Sequence, residues 1–116
     1  MHNFRNLIIW QKARSLVKTS YLLTEKFPKQ EQWSLTNQIH RASVSIPANI
    51  AEGSGKSSNK DFSRFLEMAI SSSFELETHF VLSFDLGYIT EDDLNLMSSQ
   101  IQELQKMIYT FMQTLK

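Results

Sequence analysis

Cysteine is absent from this chain, which excludes disulfide cross-links, thiolate metal sites and cysteine nucleophiles together. Glycine occurs three times and proline twice, too few for a β-rich protein with its many turns. No apolar run approaches the roughly 20 residues that a membrane-spanning helix needs. The opening Met1-His2-Asn3-Phe4-Arg5 lacks the basic-then-apolar layout of a secretory signal. A cytoplasmic protein without membrane contact is expected. Net charge is missing as well: twelve Lys/Arg balance twelve Asp/Glu, which weakens any long-range pull on nucleic acid.

What remains is globular composition, with 41% hydrophobic and 21% charged residues. A chain of 116 residues fits one domain, expected here over 1–116, and no linker, repeat or low-complexity tract divides it. The charge is unevenly placed. Residues 1–64 carry ten Lys/Arg against four Asp/Glu, a balance of +6, and residues 65–116 carry two against eight, a balance of −6. This asymmetry fits either a basic binding face or two halves of one bundle that attract each other or a neighbouring subunit.

Periodicity predicts four helices. The first runs from about Leu7 to Phe27, with Ile9, Ala13, Leu16, Leu23 and Phe27 in phase, Ser20 among them, and Trp10, Val17 and Tyr21 widening the stripe. Pro28 ends it, because the residue before a proline is pushed out of the α region. The second runs from about Ser34 to Glu52 on Leu35, Ile39, Ala42, Ile46 and Ile50. Pro47 interrupts that pattern, so a kink is expected, with Ser43 or Ser45 serving the backbone group it frees. Gly53 and Gly55 read as its stop. The third helix begins at Ser58 or Asn59 with Asp61 in its first turn, and buries Phe62, Leu66, Ala69, Ser73, Leu76, Phe80 and Ser83 before Gly87 ends it. The fourth follows Thr90 and Asp93 as a capping pair, on Leu94, Met97, Ile101, Leu104, Ile108, Phe111 and Leu115. Long amphipathic helices with short polar connections predict an all-α, up-down-up-down antiparallel four-helix bundle.

The chemistry-bearing patterns are thin. Gly53-Ser54-Gly55-Lys56-Ser57-Ser58 looks like a phosphate-binding loop, but Ile50 occupies the position of its first glycine and a helix, not a strand, leads in. A lesser role remains: amides at the start of the third helix, with Lys56 and Lys60, holding one backbone phosphate, against the plainer reading of a capped, solvated loop. Glu75 and His79 lie one helical turn apart, yet no Glu-x-x-His occurs, so a paired-carboxylate metal site in the bundle is not expected. His2, His40 and His79 have no context that singles out a nucleophile. No cofactor or catalytic site is expected.

A second stripe is polar. Arg41, Ser45, Asn49 and Glu52 share a face of the second helix, and Arg64, Glu67, Ser71, Glu75 and Thr78 lie in similar phase on the third, where Ser71-Ser72-Ser73 permits close approach. This stripe fits a hydrogen-bonded subunit interface or an ordinary exposed face.

Read in order, Gln38-Ile39-His40-Arg41-Ala42-Ser43-Val44-Ser45-Ile46-Pro47-Ala48-Asn49-Ile50-Ala51-Glu52-Gly53 resembles the four-helix-bundle proteins encoded in intervening sequences of bacterial 23S ribosomal RNA genes, the S23 family. Trp10-Gln11-Lys12-Ala13, Phe27-Pro28, Phe62-Ser63-Arg64-Phe65-Leu66, Glu75-Leu76-Glu77-Thr78 and Gly87-Tyr88-Ile89 extend the resemblance over nearly the whole chain. It implies a ring-like homopentamer. A related branch, the accessory protein of diversity-generating retroelements, binds nucleic acid and its reverse transcriptase, so a surface for RNA or DNA is implied and no enzymatic activity is. The chain departs from the family pattern at Trp33-Ser34-Leu35, where Tyr-Gly-Leu is frequent, and at His40-Arg41, where Arg-Arg is. The second change exchanges a fixed positive charge for one that titrates near neutrality.

The expected function is therefore a homo-oligomer that meets phosphates through Lys12, Arg14, Lys18, Arg41, Lys56 and Lys60, with Arg41, Ser45, Asn49, Glu52, Ser71 and Glu75 as interface or polar-network residues. The alternative is a scaffold that binds a partner protein and no nucleic acid, favoured by zero net charge and the acidic second half.

Overall fold

The computed structural model describes residues 2–116 and contains four α-helices: α1 Ile8–Thr24, α2 Leu35–Ser54, α3 Asn59–Asp85 and α4 Glu91–Gln113. Short 3-10 turns at Phe4–Asn6 and Lys29–Glu31 lead into α1 and α2. Each helix packs on its neighbours in the order α1–α2–α3–α4–α1, and among the described residues the backbones of the diagonal pairs do not approach closely. Cross-helix contacts fix the directions. Thr24 meets His40 while His2 meets Ser54, so α1 and α2 are antiparallel. Ser45 meets Ser72, and Gly53 lies against Phe62 and Phe65, so α2 and α3 are too. Gln105 meets Ser73 and Gln102 meets Glu77, and Lys12 and Lys26 meet Glu103 and Asp93, closing the ring. Among the described residues no helix is long and apolar enough to cross a membrane.

The core follows the apolar stripes. Ile9, Ala13, Leu16, Leu23, Ile39, Ala42, Ile46, Ile50, Phe62, Leu66, Ala69, Leu76, Phe80, Met97, Ile101, Leu104 and Ile108 are all buried. Ser20, Ser73 and Ser83 are fully buried within the same stripes. Their hydroxyls donate to the carbonyls of Leu16, Ile70 and His79, at 2.9, 2.6 and 2.7 Å, so small size is gained without an unsatisfied polar group. Gln105 adds a buried bond between helices, its Nε2 donating to Ser73 Oγ at 2.8 Å.

Both ends of α3 are set as the sequence predicts. Ser58 Oγ accepts from the Asp61 amide at 3.1 Å. At the other end, Gly87 adopts φ +80, and the amides of Gly87 and Tyr88 donate to the carbonyls of Phe84 and Ser83, both at 2.9 Å. That pair of bonds is a Schellman motif, which needs the left-handed residue only glycine adopts freely. Thr90 and Asp93 form a reciprocal capping box on α4.

Three expectations fail in detail. Gly53 does not stop α2; it lies inside the helix, and a Cβ there would meet Phe65 Cβ at 2.7 Å and Phe62 Cδ1 at 2.9 Å. The residue is small because α3 passes so close. Gly55 is the C-cap, at an ordinary φ of −87. Near Pro47 neither serine serves the carbonyl of Ser43: Ser43 Oγ donates to His40 O and Ser45 Oγ to Ser72 Oγ. Tyr21 does not widen the buried stripe of α1 but stands 42% exposed.

Candidate nucleic-acid interface

The cations named from sequence come from three places on the fold. On α1 the core face is fixed by Ile9, Ala13, Leu16 and Ser20, which turns Arg14 and Lys18, one helical turn apart, outward and exposed. Lys12 points sideways to α4, with Nζ 3.2 Å from Glu103 Oε1. Lys26 does the same, 3.2 Å from Asp93 Oδ2. Both pairs tie the basic first half to the acidic second half, so part of the charge asymmetry is used inside the bundle. The Lys12 pair is exposed on both sides and adds at most about 1 kcal/mol. For Asp93, partial burial acts upward on the carboxyl, but bonds from Thr90 and Lys26 outweigh it and hold the group below its ordinary range.

Arg41 is exposed on α2 and donates to Gln38 Oε1 at 2.6 Å. Lys56 and Lys60 flank the α2–α3 connection. Lys56 Nζ lies 4.9 Å from the centroid of the Phe65 ring, which Arg64 also approaches, at 5.0 Å. The start of α3 is already served: Ser58 caps it, and Asp61 places a carboxylate in its first turn. A phosphate there would compete with both, so Lys56 and Lys60 are left as surface cations beside a capped helix, not as part of an amide cradle.

The polar stripe is divided in a similar way. Ser45 and Asn49 are half-buried and engaged within the chain. Ser45 bonds Ser72 across the helix pair, and Asn49 Nδ2 donates to Ser45 O at 2.8 Å. Ser72, not Ser71, is the residue that faces α2. Arg41, Glu52, Ser71 and Glu75 are exposed. Glu75 accepts from His79, Oε2 to Nε2 3.1 Å, while His79 Nδ1 is buried without a partner. Among the described residues no three His, Asp or Glu side chains converge.

Sequence reasoning missed a cluster between α1 and α2. His40 and Tyr21 stack face to face, with centroids 3.7 Å apart and planes within 4°. Thr24 Oγ donates to Tyr21 O at 3.0 Å and therefore accepts from His40 Nε2–H, 2.8 Å away. Burial pushes the His40 pKa below its ordinary value. The position where the family pattern has a second arginine thus carries a neutral ring at neutral pH. Four residues before Arg14, Trp10 lies under its guanidinium at 5.6 Å, and Phe4 meets the indole edge-on at 5.0 Å. Arg5, Trp10, Gln11 and Arg14 line a shallow surface recess. The only sequence hint of this cluster was the 4, 3, 4 spacing of Trp10, Arg14, Val17 and Tyr21.

The opposite side of the bundle differs in character. The outer face of α3 exposes Phe74, Val81, Leu82 and Leu86, with Glu75 and Thr78 among them and Ser71 preceding.

The fold has a close counterpart among solved structures. A protein of unknown function from the S23 ribosomal protein family of Bacteroides thetaiotaomicron superimposes with a TM-score of 0.81 at 24% identity, over 90% of this chain and 98% of that one. None of the curated proteins matches the chain in sequence. The family model of the 23S rRNA-intervening sequence protein matches residues 5–110. That match spans most of the chain, which belongs to the 23S rRNA-intervening sequence protein family.

Proposed function

We propose that this protein is a non-enzymatic homo-oligomer, a pentamer as the family resemblance implies, that binds RNA or DNA through the outer surface of α1 and α2. The observation that carries the reading is a segregation of surfaces. Arg14, Lys18 and Arg41 make no ion pair among the described residues and stand exposed on α1 and α2. Diagonally across the bundle from α1, the outer face of α3 exposes Phe74, Val81 and Leu82. Large exposed apolar side chains grouped on one helix face, here interspersed with Glu75 and Thr78, suit burial against another subunit. Self-association through α3 leaves the basic side of α1 facing out, and a ring repeats it once per subunit. Even two weak phosphate contacts per subunit then bind far more tightly than one copy does.

The test is a light-scattering mass after size exclusion, with and without RNA at low salt, followed by a salt titration. The expected result is a mass near five subunits that rises with RNA, and an affinity that falls steeply with salt. A monomer, or an affinity flat between low and physiological salt, counts against the reading. The second reading, a scaffold for a partner protein, draws support from the acidic balance of residues 65–116. Charge reversal at Arg41 and Lys56 separates them: RNA retention is lost under the first reading, and partner binding survives under the second.

A further inference from the structure

We infer that Tyr21, stacked on His40, is a platform for an unpaired base, and that this side of α1 takes single-stranded nucleic acid in preference to duplex. The inference rests on the nucleic-acid reading above and specifies its ligand. One face of the Tyr21 ring is covered by His40 at 3.7 Å. The residue is still 42% exposed, so the stack with His40 does not bury it. A parallel pair so exposed is already half of a base stack. His40 is held at its Nε2 edge by Thr24, which fixes the ring that backs Tyr21. Stacking of bases on aromatic side chains tolerates any sequence, because every base has a π-face.

Cations lie at the right places to hold the strand. Lys18 and Arg14 precede Tyr21 by one and two turns and are exposed on the same outer side of α1. Trp10, one further turn along, carries the Arg14 guanidinium over its ring. From Trp10 to Tyr21 the stripe extends about 16 Å along the axis at ~1.5 Å per residue, room for several nucleotides. Duplex DNA or RNA keeps its base faces inside the stack and presents only phosphates to this surface. Base stacking and phosphate contacts do not depend on the sugar, so RNA and DNA single strands of one sequence are expected to bind alike. Glu25, the exposed C-cap residue of α1 one turn beyond Tyr21, repels phosphate and so limits the stripe at that end.

The experiment is fluorescence anisotropy at low salt with three labelled probes of one sequence: an unstructured RNA, the matching DNA strand, and the DNA duplex. Wild-type protein is expected to bind both single strands at least tenfold more tightly than duplex, with RNA and DNA within about threefold. Tyr21→Ala is expected to weaken single-strand binding roughly tenfold, the scale of one base–aromatic stack, and to leave duplex binding unchanged. Tyr21→Phe keeps the ring and should keep the affinity. Circular dichroism melting of both variants checks that the bundle is intact; Tyr21→Leu replaces Tyr21→Ala if the latter unfolds. Equal affinity for duplex and single strand, or an unchanged Tyr21→Ala, overturns the platform while leaving nucleic-acid binding in place. A strong preference for RNA overturns the sugar-blind stack. Failure of the wild type to bind any probe overturns both this inference and the function it rests on.

Discussion

Replacing Gly53 by alanine tests the close approach of α2 and α3 directly. The added methyl would stand 2.7 Å from Phe65 Cβ, 2.9 Å from Phe62 Cδ1 and 3.3 Å from the Phe62 carbonyl oxygen. Carbon atoms rest at about 3.5–4.0 Å from one another, so the two helices must part locally by about 1 Å. The nearest atom is a Cβ on a buried residue and cannot swing aside as the end of a flexible side chain would. Over-packing of this kind costs about 1–3 kcal/mol. Against it stands the gain of about 1 kcal/mol from alanine over glycine inside a helix. The expected net is a loss of up to about 2 kcal/mol. Gly55 is the control. A Cβ there meets nothing nearer than Glu52 O at 3.6 Å, and its φ is −87, so Gly55→Ala should be neutral or stabilising by up to about 1 kcal/mol. Urea unfolding followed by far-ultraviolet circular dichroism, at one fixed protein concentration, measures both. A Gly53→Ala variant more stable than the parent by the full helix-propensity gain of about 1 kcal/mol would refute the packing argument, because the crowding would then cost nothing.

Other outcomes follow from the same geometry. Gly87→Ala should cost about 1–2 kcal/mol, and less as Gly87→Asn; with no atom within 4 Å of the added Cβ, only the φ of +80 opposes it. For His40 the sign is set by burial, which lowers its pKa. The unfolded chain binds a proton near the ordinary value of 6.5 while the folded chain resists it. This contribution to stability is therefore complete above that pH and is lost as the pH falls below it. Denaturant melts from pH 7.5 down to pH 5.5 should show that slope, and His40→Gln should flatten it. Phe74→Asp, on the exposed face of α3, should leave the secondary structure intact and reduce the light-scattering mass toward that of one subunit; an unchanged mass would move the interface elsewhere.

Helix positions and the core were legible in the sequence because burial repeats with the helical period. Met97, Ile101, Leu104 and Ile108 are all buried, and the caps at Ser58, Thr90 and Gly87 sit where short-range chemistry demands. What periodicity cannot supply is the identity of the neighbour across a gap. Gly53 looked like a helix stop because a glycine required by a helix passing alongside has the same letter as one required by a turn. Ser71 and Ser72 differ by about 100° around the axis, and only packing against α2 selects Ser72. Lys12 looked like a free cation until topology placed Glu103 beside it. Tyr21, at the margin of an apolar stripe, had equal claim to core and surface. The His40 ring on α2 draws it outward.

The seam between α1 and α4 differs from the other three sides of the bundle. It is bridged by the solvent-exposed Lys12–Glu103 pair, and at one end it opens into an apolar groove of about 620 Å³ lined by Leu7, Ile8, Ile9, Met107 and Phe111. The α2–α3 contact, by contrast, is drawn tight at Gly53 and carries the Ser45–Ser72 bond. A closed ring of helices with one loose edge breathes at that edge, since local opening begins where buried contact is least. Amide hydrogens of α1 and α4 are therefore expected to exchange with solvent ahead of those in the α2–α3 hairpin, as hydrogen exchange followed by mass spectrometry would show.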